Sequence, residues 1–549
     1  MNRSSRVSLV VVALAVASLL ATTAQASANT YCAVTSGSLP DCTAPNTFTG
    51  ATTSVQAALN AAATNAGPDK VVIGPGTFTS TANTALVYNS AAAGNDVEIA
   101  GQGASTILSP TTTIGYTLLL AGTGATSNSM HDLTVTIAPG SNSGTDGVVV
   151  TQSANADIHD VSVLQGAGSG STVGVQLNQG SKLRKSTVAL PLIGISSIST
   201  YGVISVSTAG TGIPVVSDSN VTADIGASAG QGVAGLERLL VERDRINASI
   251  GVTTAQGGDV AVRDTLIKLL PDTANPTFSS VGLYSDIFLS GNTTATIDAK
   301  NVTIVGGSSP NDIGVWSIAS DSSGPIVDAS LSSSIITDVE TSLKRTGAQG
   351  VATLEAEYSN FDPATINSTN PGGSGILSQG PGNVNVAPGF VNAAGSDFSL
   401  ASSSPLIDIG DPAALGGDES TTDLAGNPRV VDGNGDGTAR RDIGAFEYQP
   451  PAPPPPPDTT PPDTQAGKFK KKVKKGKSAK FEFFSNDPTA TFTCALDKKA
   501  AKACSSPYTL KRVKKGKHTL TITAVDAAGN ADPTPVVDKF KVKAKKRKK

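Results

Sequence analysis

Between about residues 69 and 361 the chain alternates short runs rich in Val, Ile and Thr with clusters of Gly, Ser, Asn and Asp. No amphipathic helical period interrupts them, so the pattern predicts strands separated by tight turns. One spacing recurs inside that alternation. A polar residue, two intervening positions and an apolar residue appear as Asp132…Val135, Asp160…Val163, Lys185…Val188, Asp218…Val221, Arg243…Ile246, Asp264…Ile267, Asn301…Ile304, Ser333…Ile336 and Tyr358…Phe361. The apolar members lie 28, 25, 33, 25, 21, 37, 32 and 25 residues apart. Such a period predicts a β-solenoid, whose coils cannot bury their inward residues alone and must stack. Upstream, Val55, Ala58, Leu59 and Ala62 share one helical face, predicting a short helix over the open edge of the first coil.

The ends of the chain read differently. Arg3 and Arg6, an apolar run over 7–21 and the small residues of 24–28 have the layout of a secretory signal peptide, with cleavage after Ala26 or Ala28. No later stretch is long enough for a membrane helix. Export permits disulfides, and of three connectivities the local pairs Cys32–Cys42 and Cys494–Cys504, each ten residues apart, are the natural ones. Residues 449–467 are Pro-rich and predict an extended linker. Beyond them, period-2 alternation at 481–484, 491–494, 518–525 and 540–543 predicts a small β domain over 468–543, with a basic tail at 544–549.

The segment 53–78, with its helix, Asp69-Lys70-Val71-Val72-Ile73 and Pro75-Gly76-Thr77-Phe78, resembles the opening of secreted right-handed parallel β-helix proteins of the pectate-lyase-like fold. Ala387-Pro388-Gly389-Phe390, Ser404-Pro405-Leu406-Ile407-Asp408 and Arg441-Asp442-Ile443-Gly444-Ala445-Phe446 resemble the closing segment of large bacterial β-helix exoproteins. Cys494-Ala495-Leu496-Asp497, Gly516-Lys517-His518 and Asp526-Ala527-Ala528-Gly529-Asn530 resemble bacterial Ig-like repeats. The resemblance implies an all-β chain: a right-handed parallel β-helix over 29–448 with an N-terminal capping helix, then a small Ig-like β-sandwich.

Charge separates the two parts. Residues 468–549 hold 24 Lys+Arg against 6 Asp+Glu, a net of +18, while 1–467 hold 17 against 38, a net of −21. Lys471, Lys472, Lys474, Lys475, Lys514 and Lys515 make an electropositive surface suited to anionic envelope polymers. Nucleic acid fits the charge but finds no recognition motif or aromatic interleaving.

Parallel β-helix proteins include polysaccharide lyases and hydrolases, which makes the acidic ladder Asp132, Asp160, Asp218, Asp244 and Asp264, with Arg243, Arg245 and Arg263 beside it, the candidate catalytic set. Against catalysis, the Gly-His-Gly and paired-Asp signatures of pectin hydrolases and the Arg-x-Pro-x-x-Arg segment of pectate lyases are absent. His131 and His159 recur at matching places, and Trp316 is the only tryptophan. Asp432-Gly433-Asn434-Gly435-Asp436-Gly437 has the first half of a calcium loop, with Asp432, Asn434 and Asp436 as structural Ca2+ ligands and Asp442 or Glu447 completing the shell; Ile443 at the twelfth place excludes an EF-hand. The expectation is a secreted extracellular or cell-surface protein, a non-catalytic polysaccharide-binding adhesion or structural protein rather than a carbohydrate-active enzyme.

Overall fold

The computed structural model describes residues 28–544, except 41, 43, 81–84, 91–93, 110–114, 123–126, 138–144, 151–154, 167–170, 179, 196–198, 207–211, 230–237, 255–256, 273–276, 288–293, 308 and 452–454. The signal-peptide segment and most of the basic tail lie outside the described residues. The chain divides into two compact units, 1–450 and 451–549. No helix of the described residues is long and apolar enough to cross a membrane.

Among the described residues the first unit is built on one parallel sheet system of 31 strands, consistent with a β-helix. Strands pair with their counterparts one coil before and one coil after. Gly258–Arg263 lies between Arg238–Glu242 and Thr294–Lys300, and Val281–Ile287 lies between Arg245–Thr253 and Ile313–Ala319. The only α-helix among the described residues, Ser54–Thr64, buries Val55, Ala58, Leu59 and Ala62 in the same core as Tyr31, Val71 and Leu86.

The recurrent spacing marks a backbone corner. All nine polar members adopt the left-handed conformation, with φ between 47° and 57°. All nine apolar members are buried in the main core. Asp and Asn tolerate positive φ best among residues with a side chain, but Lys185, Arg243, Ser333 and Tyr358 are held there too, because the hydrogen-bond ladder continues through the bend. The N–H of Asp218 donates to Glu242 O (3.1 Å), that of Arg243 to Arg263 O (3.0 Å) and that of Asn301 to Ser332 O (3.0 Å).

Two further columns fix the stacking. At the position after the corner, buried hydroxyls accept a backbone N–H from the preceding coil. Ser186 Oγ accepts from Val161 N (3.2 Å), Ser219 Oγ from Ser186 N (3.1 Å), Ser334 Oγ from Val302 N (2.9 Å) and Ser359 Oγ from Ser334 N (3.1 Å). Each hydroxyl also donates to the carbonyl two residues earlier, as Ser219 does to Ser217 O (2.8 Å). On the inner side, Gly147, Gly174, Gly202, Gly226, Gly251, Gly282 and Gly314 follow one another coil by coil, each facing the buried apolar member of a corner.

The segment from Phe390 to Tyr448 runs back along the flank of the stack. Phe398, Leu424, Ala445 and Phe446 pack on Leu266 and Val305, and Leu400, Leu406, Ile407 and Ile443 pack on Ile335. Gly444 N donates to Ser333 O (2.8 Å) and Ala445 N to Thr303 Oγ1 (2.9 Å). This strap clasps the corners.

The second unit is two sheets around one core of Phe481, Phe483, Leu520, Ile522, Phe540 and Val542. One sheet holds Thr464–Phe469, Ala479–Ser485 and Tyr508–Leu510; the other holds Lys472–Lys474, Val536–Lys543, Gly516–Val525, Thr491–Leu496 and Lys502–Cys504. Thr464–Phe469 starts inside the stretch read as linker, and Thr464 N donates to Asp532 Oδ2 (2.7 Å). Cys32 pairs with Cys42 and Cys494 with Cys504.

Candidate functional site

The acidic ladder and its arginines lie at the corners or within two residues of them, and each candidate finds a partner. Asp132 and Asp160 accept from the neighbouring imidazoles, His131 Nδ1 and His159 Nδ1, at 2.8 Å each. The two rings are in register on adjacent strands and stack 4.8 Å apart, 4° from parallel, as repeat residues do. Arg243 forks onto Asp218 through Nε (2.8 Å) and Nη2 (3.0 Å), and its Nη1 reaches Glu242 (3.0 Å) and Ser420 Oγ (2.9 Å). Arg263, 1% exposed, binds Asp298 (2.5 Å) and the strap residue Asp418. Asp264 is buried against Arg429 of the strap (2.5 Å). Arg245 lies over the Phe446 ring, 6.0 Å from its centroid.

Asp244 belongs to the hydroxyl column. It follows Arg243 as Ser219 follows Asp218, and its Oδ1 accepts from Ser219 N (2.7 Å), the bond that a serine makes elsewhere in the column. Complete burial pushes its carboxyl well above the ordinary range, and its Oδ2 accepts from Glu242 N (3.2 Å), so it fills the hydroxyl's place in the column as an acceptor. Asp244→Ser should therefore be accepted. We expect equal stability near pH 5 and a higher melting temperature than wild type near pH 8, read by Trp316 fluorescence. Destabilisation at both pH values would disprove the ladder assignment.

The strap also contains the loop read as half of a calcium site. Asp432 Oδ1 accepts from Gly435 N (2.8 Å) and Asp436 N (3.1 Å), and its Oδ2 accepts from Gly437 N (2.9 Å). Asn434 Oδ1 accepts from Asp436 N (2.8 Å), and Asp436 Oδ1 from Thr438 N (2.8 Å). Asp442 is buried and accepts from Asp408 N (2.7 Å) and Tyr448 N (2.6 Å). In this arrangement Asp432, Asn434 and Asp436 close turns, and Asp442 ties the loop to Asp408. Among the described residues no three His, Cys, Asp or Glu side chains form a metal-holding group.

Trp316 lies in register between Tyr284 and Lys344 on an outer face. Tyr284 is 5.4 Å away between ring centroids, Lys344 Nζ sits 3.7 Å from the ring centre, and Nε1 donates to Thr346 Oγ1 (3.3 Å). Neighbours on both sides leave it a ladder residue rather than an open platform.

The second unit concentrates its charge on one sheet face. Lys472, Lys541 and Lys517 stand directly opposite one another across three adjacent strands, and Lys474 stands opposite Lys543. All five are exposed, and Lys539 continues the exposed alternation around buried Phe540 and Val542. Among the described residues none of them forms an ion pair; those of this unit are Lys480–Glu482 and His518–Asp497. Like charges directly opposite destabilise a sheet, so folding alone does not account for the arrangement. Lys471, Lys475, Lys514 and Lys515 are also exposed. Sequence reading missed Lys517, Lys539 and Lys541, although the alternation in 538–543 carried the signal for the last two.

Compared with known family models and with curated proteins, the chain finds no match.

Proposed function

We propose that this is a secreted, non-catalytic cell-surface or extracellular protein that binds polysaccharide. Its acidic part is a right-handed parallel β-helix of the pectate-lyase-like kind, with the helix Ser54–Thr64 as its N-terminal cap. Its basic part is an Ig-like β-sandwich that holds the protein to anionic envelope polymers. The observation that carries the reading is the lysine face, a flat array of unpaired ammonium groups without aromatic side chains. Lysine is a hydrated point charge suited to diffuse attraction toward repeated anionic groups rather than to bidentate recognition. The catalytic candidates support the same reading, since they are committed to ion pairs, the hydroxyl column and the strap.

Cosedimentation of the full chain with polygalacturonate and with a phosphodiester wall polymer, across a salt series, tests this. Binding should weaken steeply with salt, and the triple change Lys472→Ser, Lys517→Ser and Lys541→Ser should lower the log–log salt slope by about 3, one per lysine. Salt-insensitive binding, or new reducing or unsaturated ends in the same incubations, would overturn the proposal.

A further inference from the structure

The strands that precede the corners turn a largely polar column outward. In register, coil to coil, it runs Ser129, Asp157, Lys182, Val215, Leu240, Ala261, Asp298, Ser330, Glu355. The polar run breaks at three consecutive coils. There Leu240 and Ala261 line a cavity of about 320 Å³, with Ile213, 45% exposed, also on its wall. Asp259, Asp298, Asp418, Arg238 and Arg263 line it as well. The guanidinium of Arg263 is 1% exposed; its Nη1 and Nη2 are taken by Val262 O, Asp298 and Asp418, yet Nε has no partner. That guanidinium fixes the carboxylates of Asp298 and Asp418 at the cavity wall.

We propose that this cavity binds one sugar unit of an uncharged glycan. Its apolar floor suits the C–H face of a pyranose ring. Its wall mixes acceptors (Asp259, Asp298, Asp418) with the guanidinium donors of Arg238, the alternation that sugar hydroxyls meet as both donors and acceptors. Three carboxylates against two guanidiniums give no attraction to a polyanion, which separates this site from the lysine face. The volume is at the low end of the roughly 300–1,000 Å³ typical of ligand sites, which fits a single ring of a chain that continues along the open sheet face. The inference does not depend on the lysine-face reading.

The test is calorimetric titration of the full chain with cellohexaose, xylohexaose, laminarihexaose and polygalacturonate at 1 M NaCl, where screening suppresses exposed charge attraction. At least one neutral hexamer should bind. Ala261→Arg, which fills the cavity, should abolish binding, and Asp259→Ala should weaken it about tenfold, the loss of one hydrogen bond to a charged group. Leu240→Asn supplies a second floor variant, and a wild-type melting transition at Trp316 shows that each variant is folded. Lys472→Ser/Lys541→Ser should leave affinity for the neutral hexamer unchanged. Absence of neutral-glycan binding at millimolar concentration, or unchanged affinity in folded Ala261→Arg and Leu240→Asn, would overturn the assignment.

Discussion

Gly251→Ala and Gly282→Ala should each destabilise the first unit by about 3 kcal/mol or more, the upper end of what overpacking a filled core produces. In an exposed strand the same change removes a flexible residue and is mildly favourable, so the sign is set by the stack. A Cβ on Gly251 would lie 2.5 Å from Gly282 O and 2.5 Å from Ile267 Cγ2. On Gly282 it would lie 2.6 Å from Gly314 O and 2.6 Å from Ile304 Cγ2. The carbonyl belongs to the next coil, and the methyl belongs to the apolar anchor that holds the corner, so neither can yield alone. Relief requires widening the spacing between two coils, which breaks the ladders on either side. In a stack where each repeat touches only its neighbours, that lost interface is not compensated elsewhere. Trp316, the only tryptophan, lies in this unit and reports its unfolding separately from the basic module. Gly166→Ala, with open space around the added carbon, should leave the transition unmoved. A wild-type transition in Gly251→Ala would show that the coils are not as closely stacked as the column requires.

The corner and the glycine column were equally regular in the sequence but not equally legible. The corner carries a contrast, polar then apolar, which survives variation in residue type from Asp132 to Tyr358. The glycine column carries none: Gly147-Val148, Gly174-Val175, Gly202-Val203 and Gly251-Val252 repeat in phase with the corners, yet in a chain with 57 glycines they read as ordinary turns. Asp244 was misleading for a related reason. It sits one place after the corner, in a column that Ser186, Ser219, Thr265, Ser334 and Ser359 share with Leu133, Val161 and Val302, and only the pairing of Ser219 N with its carboxylate separates it from the outward acids. The strap contacts were beyond sequence reasoning altogether. Asp264 and Arg429 are 165 residues apart, and no local pattern couples them.

That last pair is where the largest charge effect is expected. Arg429, fully buried, binds Asp264 (2.5 Å), approaches Glu447 (3.5 Å) and donates to Gly444 O (3.0 Å) and Ala445 O (2.8 Å). One guanidinium thus serves two buried carboxyl groups, with Asp442 close behind. Burial pushes Asp264 up to about 6 even with Arg429 opposing it. Glu447 is raised by burial and by the charge of Asp442. A carboxyl raised on folding contributes stability that is complete below its unfolded value of about 4 and is lost as pH rises through its folded value. The strap should therefore be most secure in mild acid and loosen from about pH 6 upward. Arg429→Met removes the cation that pairs with both Asp264 and Glu447. At pH 8 the loss should reach about 3–5 kcal/mol, as for any buried pair deprived of one partner. At pH 5, where Asp264 and Glu447 can be protonated and neutral, a substantial part of that loss should return. Trp316-monitored melting between pH 5 and 8 measures the difference, and limited proteolysis within 390–448 locates it, since a released strap is cut while the coils beneath stay protected. An equal loss at both ends of that range would mean that the two backbone carbonyls, rather than the carboxylates, are what Arg429 holds in place.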